Sequence, residues 1–133
     1  MGLRWLALLL ACLLPSRAFQ IYQARLPNGA TVPCPSGVAG CAVDNTCPGL
    51  AHGTCAGGAL PLNAFGAAFW SAGSWTPALC AADSDGDGIT NGEELGDPCC
   101  VWANGGSPPA GVARSHPVRS ALVLLSGPCA HVR

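Results

Sequence analysis

Residues 83–94 read DSDGDGITNGEE. Oxygen-bearing side chains fall at positions 1, 3, 5, 9 and 12 of this stretch: Asp83, Asp85, Asp87, Asn91 and Glu94. That is the ligand spacing of a calcium-binding loop. Calcium is a hard cation that takes several oxygen ligands, and alternate residues of a tightly wound backbone aim their carboxylates at one centre. Ile89, at position 7, contributes its backbone carbonyl, so its side chain is free to be apolar. Glu94 closes the set with both oxygens. Gly88, at position 6, supplies the positive φ of a sharp turn. The expected metal ligands are therefore Asp83, Asp85, Asp87, Ile89, Asn91 and Glu94, and the expected ion is Ca2+.

Six of the seven acidic residues of the chain lie within residues 83–97, with no basic residue among them. Without a cation these carboxylates repel one another and raise each other's pKa. A solvated acidic turn is the competing reading. It does not account for five ligand positions and a glycine in register. Position 8 is Thr90, where paired calcium loops usually carry a branched apolar residue, and no second loop of this kind occurs in the chain. Ala81 and Ala82 precede the loop without a long amphipathic helix. The pattern reads as a single extracellular calcium clip, not as half of a cytosolic sensor pair.

The elements around the loop must hold it in an exported chain. Arg4, an apolar run over residues 5–14, and small residues at Ser16 and Ala18 describe a secretory signal peptide over residues 1–18. The apolar run falls short of the roughly 20 residues that span a bilayer. About 115 residues then remain, one small domain's worth. They carry four arginines, no lysine and seven acids, a net charge of −3. Nucleic acid is excluded as a partner, because phosphate neutralisation needs clustered basic residues. Membrane insertion after cleavage is not expected either.

Cys12 leaves with the signal. Eight cysteines stay: Cys34, Cys41, Cys47, Cys55, Cys80, Cys99, Cys100 and Cys129. An even count in an exported chain rich in Gly and Pro reads as a disulfide framework of up to four bridges, with the pairing open. Each bridge typically stabilises by ~2–4 kcal/mol, chiefly by restricting the unfolded chain. The spacings of Cys34, Cys41, Cys47 and Cys55 are not those of zinc knuckles. Cys99 and Cys100 are expected to bridge to different partners, because neighbouring cysteines pair only across a distorted peptide.

The fold class expected is small, disulfide-rich and mixed, with little regular structure. It holds a short β-hairpin, two or three short helices and one EF-hand-like calcium loop. Residues 20–26 alternate and predict a strand, turned by Pro27-Asn28-Gly29 and returning through residues 30–32. Residues 33–54 are a stapled loop. Residues 62–70 predict a helix with Phe65 and Phe69 on one face and Asn63 as N-cap. Residues 76–82 predict a second, with Thr76 as cap and Pro77 at the first position. Residues 93–95 predict one further turn. Phe65, Phe69, Trp70, Trp75 and Trp102 are the expected miniature core. Residues 19–102 form the expected domain, and residues 103–133 a Gly- and Pro-rich, loosely ordered tail.

In this order the motifs resemble the temptin-like family, secreted cysteine-rich proteins named after a water-borne attraction pheromone. The resemblance is carried by YQARLPNG at residues 22–29, by Gly53 and by Gly57-Gly58. It continues through Leu62-Asn63, Phe65-Gly66, Phe69, Gly73, Trp75-Thr76 and Leu79-Cys80. It closes with DSDGDG at residues 83–88, TNGEELGDP at residues 90–98, Cys100-Val101-Trp102 and Ser115-His116-Pro117. Cys99 and the cysteine-dense segment 34–55 depart from the family pattern. The resemblance implies an extracellular, disulfide-bonded, non-catalytic protein that acts on a protein partner or receptor in signalling or attraction.

No enzyme template is met: there is no Gly-x-Ser-x-Gly elbow, no HExxH and no phosphate-binding glycine-rich loop. A metal-dependent secreted enzyme is thus the weakest functional reading. A structural module of matrix or cell wall, with a purely structural calcium loop, is the alternative to the signalling reading. His52 and His116 would make a copper or zinc site only if the fold converged them.

Overall fold

A computed structural model describes residues 18–34, 46–47, 49–54, 61–107 and 115–117. Residues 1–17 of the expected signal peptide, most of the expected tail, and Cys41, Cys55 and Cys129 lie outside the described residues. Among the described residues, regular structure amounts to four short helices: α1 (Ala18–Gln23), α2 (Ala64–Ala72), α3 (Pro77–Ala81) and α4 (Asn91–Glu94). Isolated antiparallel bridges join Pro33 with Thr46 and His52 with Leu62. No helix of the described residues is long and apolar enough to cross a membrane.

Local signals set α2 and α3. Asn63 caps α2 by accepting from the Gly66 N–H at 2.7 Å. Its side-chain amide donates to the Leu50 and His52 carbonyls, each at 2.9 Å, which ties the helix start to the segment beneath it. Thr76 caps α3 by accepting from the Leu79 N–H at 3.1 Å, with Pro77 opening the helix. An N-cap of this type typically contributes about 1 kcal/mol.

Residues 20–26 are not a strand. Residues 18–23 form α1, and the chain then turns through bonds from the Arg25 N–H to the Tyr22 carbonyl at 3.0 Å and from Leu26 to Gln23 at 3.2 Å. The alternating pattern buries no face here: Ile21 and Tyr22 are 64% and 45% exposed. With no strand partner, the backbone groups of α1 and its turn are satisfied locally, and the expected hairpin is absent from this segment.

The core is built from Leu26, Val32, Leu50, Phe65, Phe69, Leu79 and Leu95, with Ala68 and Trp75 packed against it. Phe65 and Phe69 stack one helical turn apart, their ring centroids 6.4 Å apart. The Arg25 guanidinium lies 5.8 Å over the Phe69 ring and donates to the Gly73 carbonyl. Trp70, expected in the core, is 71% exposed. One residue beyond Phe69 is about 100° further round the helix, off the buried face. Trp75 is half-buried at the edge of the cluster, and Trp102 is half-buried outside it.

Cys80 of α3 is joined to Cys100 by a disulfide. Cys99 is bonded elsewhere, as expected of neighbouring cysteines. Asp97, fully buried, lies against this bridge, its backbone carbonyl 3.3 Å from the Cys80 sulfur. Its carboxylate accepts from the Trp75 indole N–H at 3.0 Å, from the Val101 N–H at 3.0 Å and from the Trp102 N–H at 3.2 Å. Truncating this side chain orphans all three donors. Asp97→Ala is expected to lose about 3–5 kcal/mol in a urea melt with the disulfides intact, and Asp97→Asn, which keeps an acceptor, distinctly less. Trp70→Ala is expected to stay within about 0.5 kcal/mol of the parent.

Candidate metal centre

The acidic loop leaves from the end of α3 and returns at the start of α4. Asn91 closes its mouth twice: the backbone N–H donates to the Ala82 carbonyl at 2.7 Å, and the side-chain amide donates to the Leu79 carbonyl at 2.8 Å. Gly92 follows because a Cβ there would strike the Cys80 sulfur and the Asp97 carbonyl. α4 thereby packs directly on α3.

Inside the mouth the aspartates wind the backbone around themselves. Asp83 accepts from the Gly86 N–H at 2.7 Å and the Gly88 N–H at 2.9 Å. Asp85 accepts from the Asp87 N–H at 3.2 Å, and Asp87 from the Ile89 N–H at 2.9 Å. Gly86 and Gly88 have φ of 77° and 92°, with open space where a Cβ would stand. Backbone conformation, not crowding, therefore demands glycine at both.

The winding brings one oxygen each of Asp83, Asp85 and Asp87 within 4.8 Å of one another. Among the described residues no other three His, Cys, Asp or Glu side chains converge in this way, and neither His52 nor His116 joins such a group. The sixth expected ligand, Glu94, lies outside that triplet and is 1% exposed. Its Oε1 accepts from the Ser115 hydroxyl at 3.1 Å, and its backbone carbonyl accepts from the Ser115 N–H at 2.8 Å. Its Oε2 is buried with no hydrogen-bond partner, as are Asp85 Oδ2 and Asn91 Oδ1. Buried acceptors are rarely left so. Two of these oxygens, one on Asp85 of the triplet and one on Glu94, which feels the charges of all three aspartates, suit a hard divalent cation.

Two residues gain roles that the ligand spacing did not assign. Thr90, which departs from the paired-loop pattern at position 8, is the N-cap of α4. Its hydroxyl accepts from the Glu93 N–H at 3.3 Å while the Glu93 carboxylate accepts from the Thr90 N–H at 2.9 Å. This capping box is visible in the sequence as Thr-x-x-Glu. Ser115, 21 residues beyond Glu94, has no such signal. Only the fold brings it there, with Ser115, His116 and Pro117 all buried.

Comparison with known proteins identifies relatives. The family model described as Temptin C-terminal matches residues 16–119. The chain is 46% identical over 114 residues to temptin from Aplysia californica, an alignment covering 85% of this chain and 86% of that protein. No solved structure matches.

The loop sorts its acids by environment. Asp83, fully exposed, is held below its ordinary pKa, first by the Gly88 N–H. Asp85 is pushed up by burial, with the Asp87 and Asp83 charges adding. Glu94 is pushed from 4.5 to about 8, first by burial and next by the Asp85 charge. The folded chain therefore keeps the Glu94 proton up to about 8, whereas the unfolded chain releases it near 4.5. In metal-free buffer the unfolded state binds fewer protons across that window, so stability falls as pH rises through it. Melting in a chelator is expected at a higher temperature at pH 5 than at pH 8, a difference of a few kcal/mol at about 1.4 kcal/mol per unit. Glu94→Gln is expected to flatten this slope.

Proposed function

This chain belongs to the temptin family, and from that premise we propose that it is an exported, calcium-stabilised, non-catalytic protein that acts by contact with a protein partner in extracellular signalling or attraction. The observation that carries the calcium part is the Asp83–Asp85–Asp87 triplet together with the buried, unpartnered oxygens on its own Asp85 and on the neighbouring Glu94. Asp83, Asp85 and Asp87 would hold the ion from the exposed side of the loop. Glu94 would close the site from the buried side, and the Ile89 carbonyl would add an oxygen. Asn91 acts through its clasp on Leu79 and Ala82, which holds the loop mouth closed.

The chemistry supplied by the ion is charge neutralisation. A divalent cation offsets the repulsion among the aspartates and holds Glu94 ionised. Such a site needs no turnover. The same acids, held as carboxylates, make poor proton donors. The ion's contribution is to rigidify a chain with a small core, so that its exposed side chains present one shape to a partner.

Affinity is expected on the order of 10⁻⁴–10⁻³ M, the range of extracellular modules. Isothermal titration of calcium into the mature protein measures it. Raising calcium to about ten times Kd is expected to stabilise the fold by about 1.4 kcal/mol, read as a higher melting temperature than in chelator. Asp85→Ala is expected to abolish that difference. An unchanged melting temperature at millimolar calcium would refute the calcium reading. Recovery of a partner from cell-surface extracts by the parent in calcium, and its loss in chelator, tests the contact. Retention of the protein in insoluble matrix would instead favour a structural role.

A further inference from the structure

Two of the described cysteines are outside any bridge. Cys34 and Cys47 are thiols, whereas Cys80, Cys99 and Cys100 are all bonded. The two thiols are side by side. Pro33 pairs with Thr46 in an antiparallel bridge, and the Cys47 N–H donates to the Val32 carbonyl at 2.9 Å. Cys34 and Cys47 each follow a bridged residue, so both side chains leave the bridge on the face opposite Pro33 and Thr46. There the Cys47 thiol is hydrogen-bonded to Cys34, whose own thiol donates to the Thr46 carbonyl at 2.9 Å.

The two sulfurs differ in access. Cys47 is 2% exposed, while Cys34 is half-buried. Burial, with the neighbouring Cys34, pushes the Cys47 thiol up to about 12, so Cys47 is no nucleophile while the pair is reduced. An incoming reagent reaches Cys34 first.

We infer that Cys34 and Cys47 form a further disulfide, closed by thiol–disulfide exchange in which Cys34 is the attacking sulfur and Cys47 the resolving one. The oxidant is a low-molecular-weight disulfide of the glutathione class. Deprotonated Cys34 attacks one donor sulfur, a mixed disulfide forms, and the other donor sulfur leaves as thiolate and takes up a proton. Cys47 then loses its proton and attacks the Cys34 sulfur, and the second donor thiol leaves. Two electrons and two protons pass from the cysteine pair to the donor. The product links the segment carrying Val32 to the segment leading to Leu50, two strips of the same core. It encloses Cys41 in the ring. The inference is independent of calcium.

The test uses the full mature chain with its other bridges intact. Incubation with oxidised glutathione, alkylation of remaining thiols after unfolding, cleavage before Asp44 and fragment-ion sequencing map the link. The expected result is loss of alkylation at Cys34 and Cys47, a Cys34–Cys47 crosslink and a raised melting temperature. Cys47→Ser is expected to trap one glutathione on Cys34, and folded Cys34→Ser to take up none at Cys47. Cys34 and Cys47 still alkylated after oxidation, or Cys34 mapped to another cysteine, overturns the inference. The map on the parent chain decides the question even where a variant fails to fold.

Discussion

The acidic loop depends on one clasp, the double hydrogen bond by which Asn91 holds the start of α4 against the end of α3. Without it a run of carboxylates would have no fixed mouth. With it, residues 83–90 are forced into a single closed turn, and α4 delivers Leu95 to the core. Gly92 makes the clasp sterically possible, because the helices approach too closely there for any side chain. The loop is thereby fastened to the best-packed part of a small molecule.

That fastening places two carboxylates underground, with opposite consequences. Asp97 receives three N–H donors and serves as a polar post between Trp75 and residues 101–102. A buried anion with its lone pairs filled is tolerable in a low-dielectric interior. Glu94 receives one hydroxyl and keeps one oxygen unpartnered, next to the like charge of Asp85. Desolvation and repulsion act together on it, which drives it toward the neutral form. A cation bound there would reverse both effects at once and would link proton release, metal uptake and stability in one residue. Ser115 ties a later segment of the chain to Glu94, since its docking is made to both the side chain and the backbone of that residue.

The bonded sulfurs and the thiols divide the molecule similarly. The Cys80–Cys100 bridge locks the floor of the acidic loop, where α3 and the Asp97 turn meet. Cys34 and Cys47 sit away from the loop, on the segments that carry Val32 and lead to Leu50. With so little regular structure among the described residues, the fold relies on such a bridge, because burial of apolar surface offsets only part of the entropy of ordering it.

The sequence by itself determined what depends on near neighbours. The caps Asn63, Thr76 and Thr90, the Phe65/Phe69 face, and the spacing that gathers Asp83, Asp85 and Asp87 follow from interactions within a few residues. Family membership was legible for the same reason, as ordered short motifs. The exposure of Trp70 was also present in its helical position, one step off the buried face. Other features required the tertiary structure. Residues 18–23 took a helix because no strand came to pair with them, and the absence of a partner is not written in a local pattern. Cys80 joined Cys100, Ser115 reached Glu94, and Asp97 went under the tryptophans because particular surfaces met across the chain. Those meetings set desolvation, and desolvation is what distinguishes Asp85 and Glu94 from the carboxylates of a solvated acidic turn.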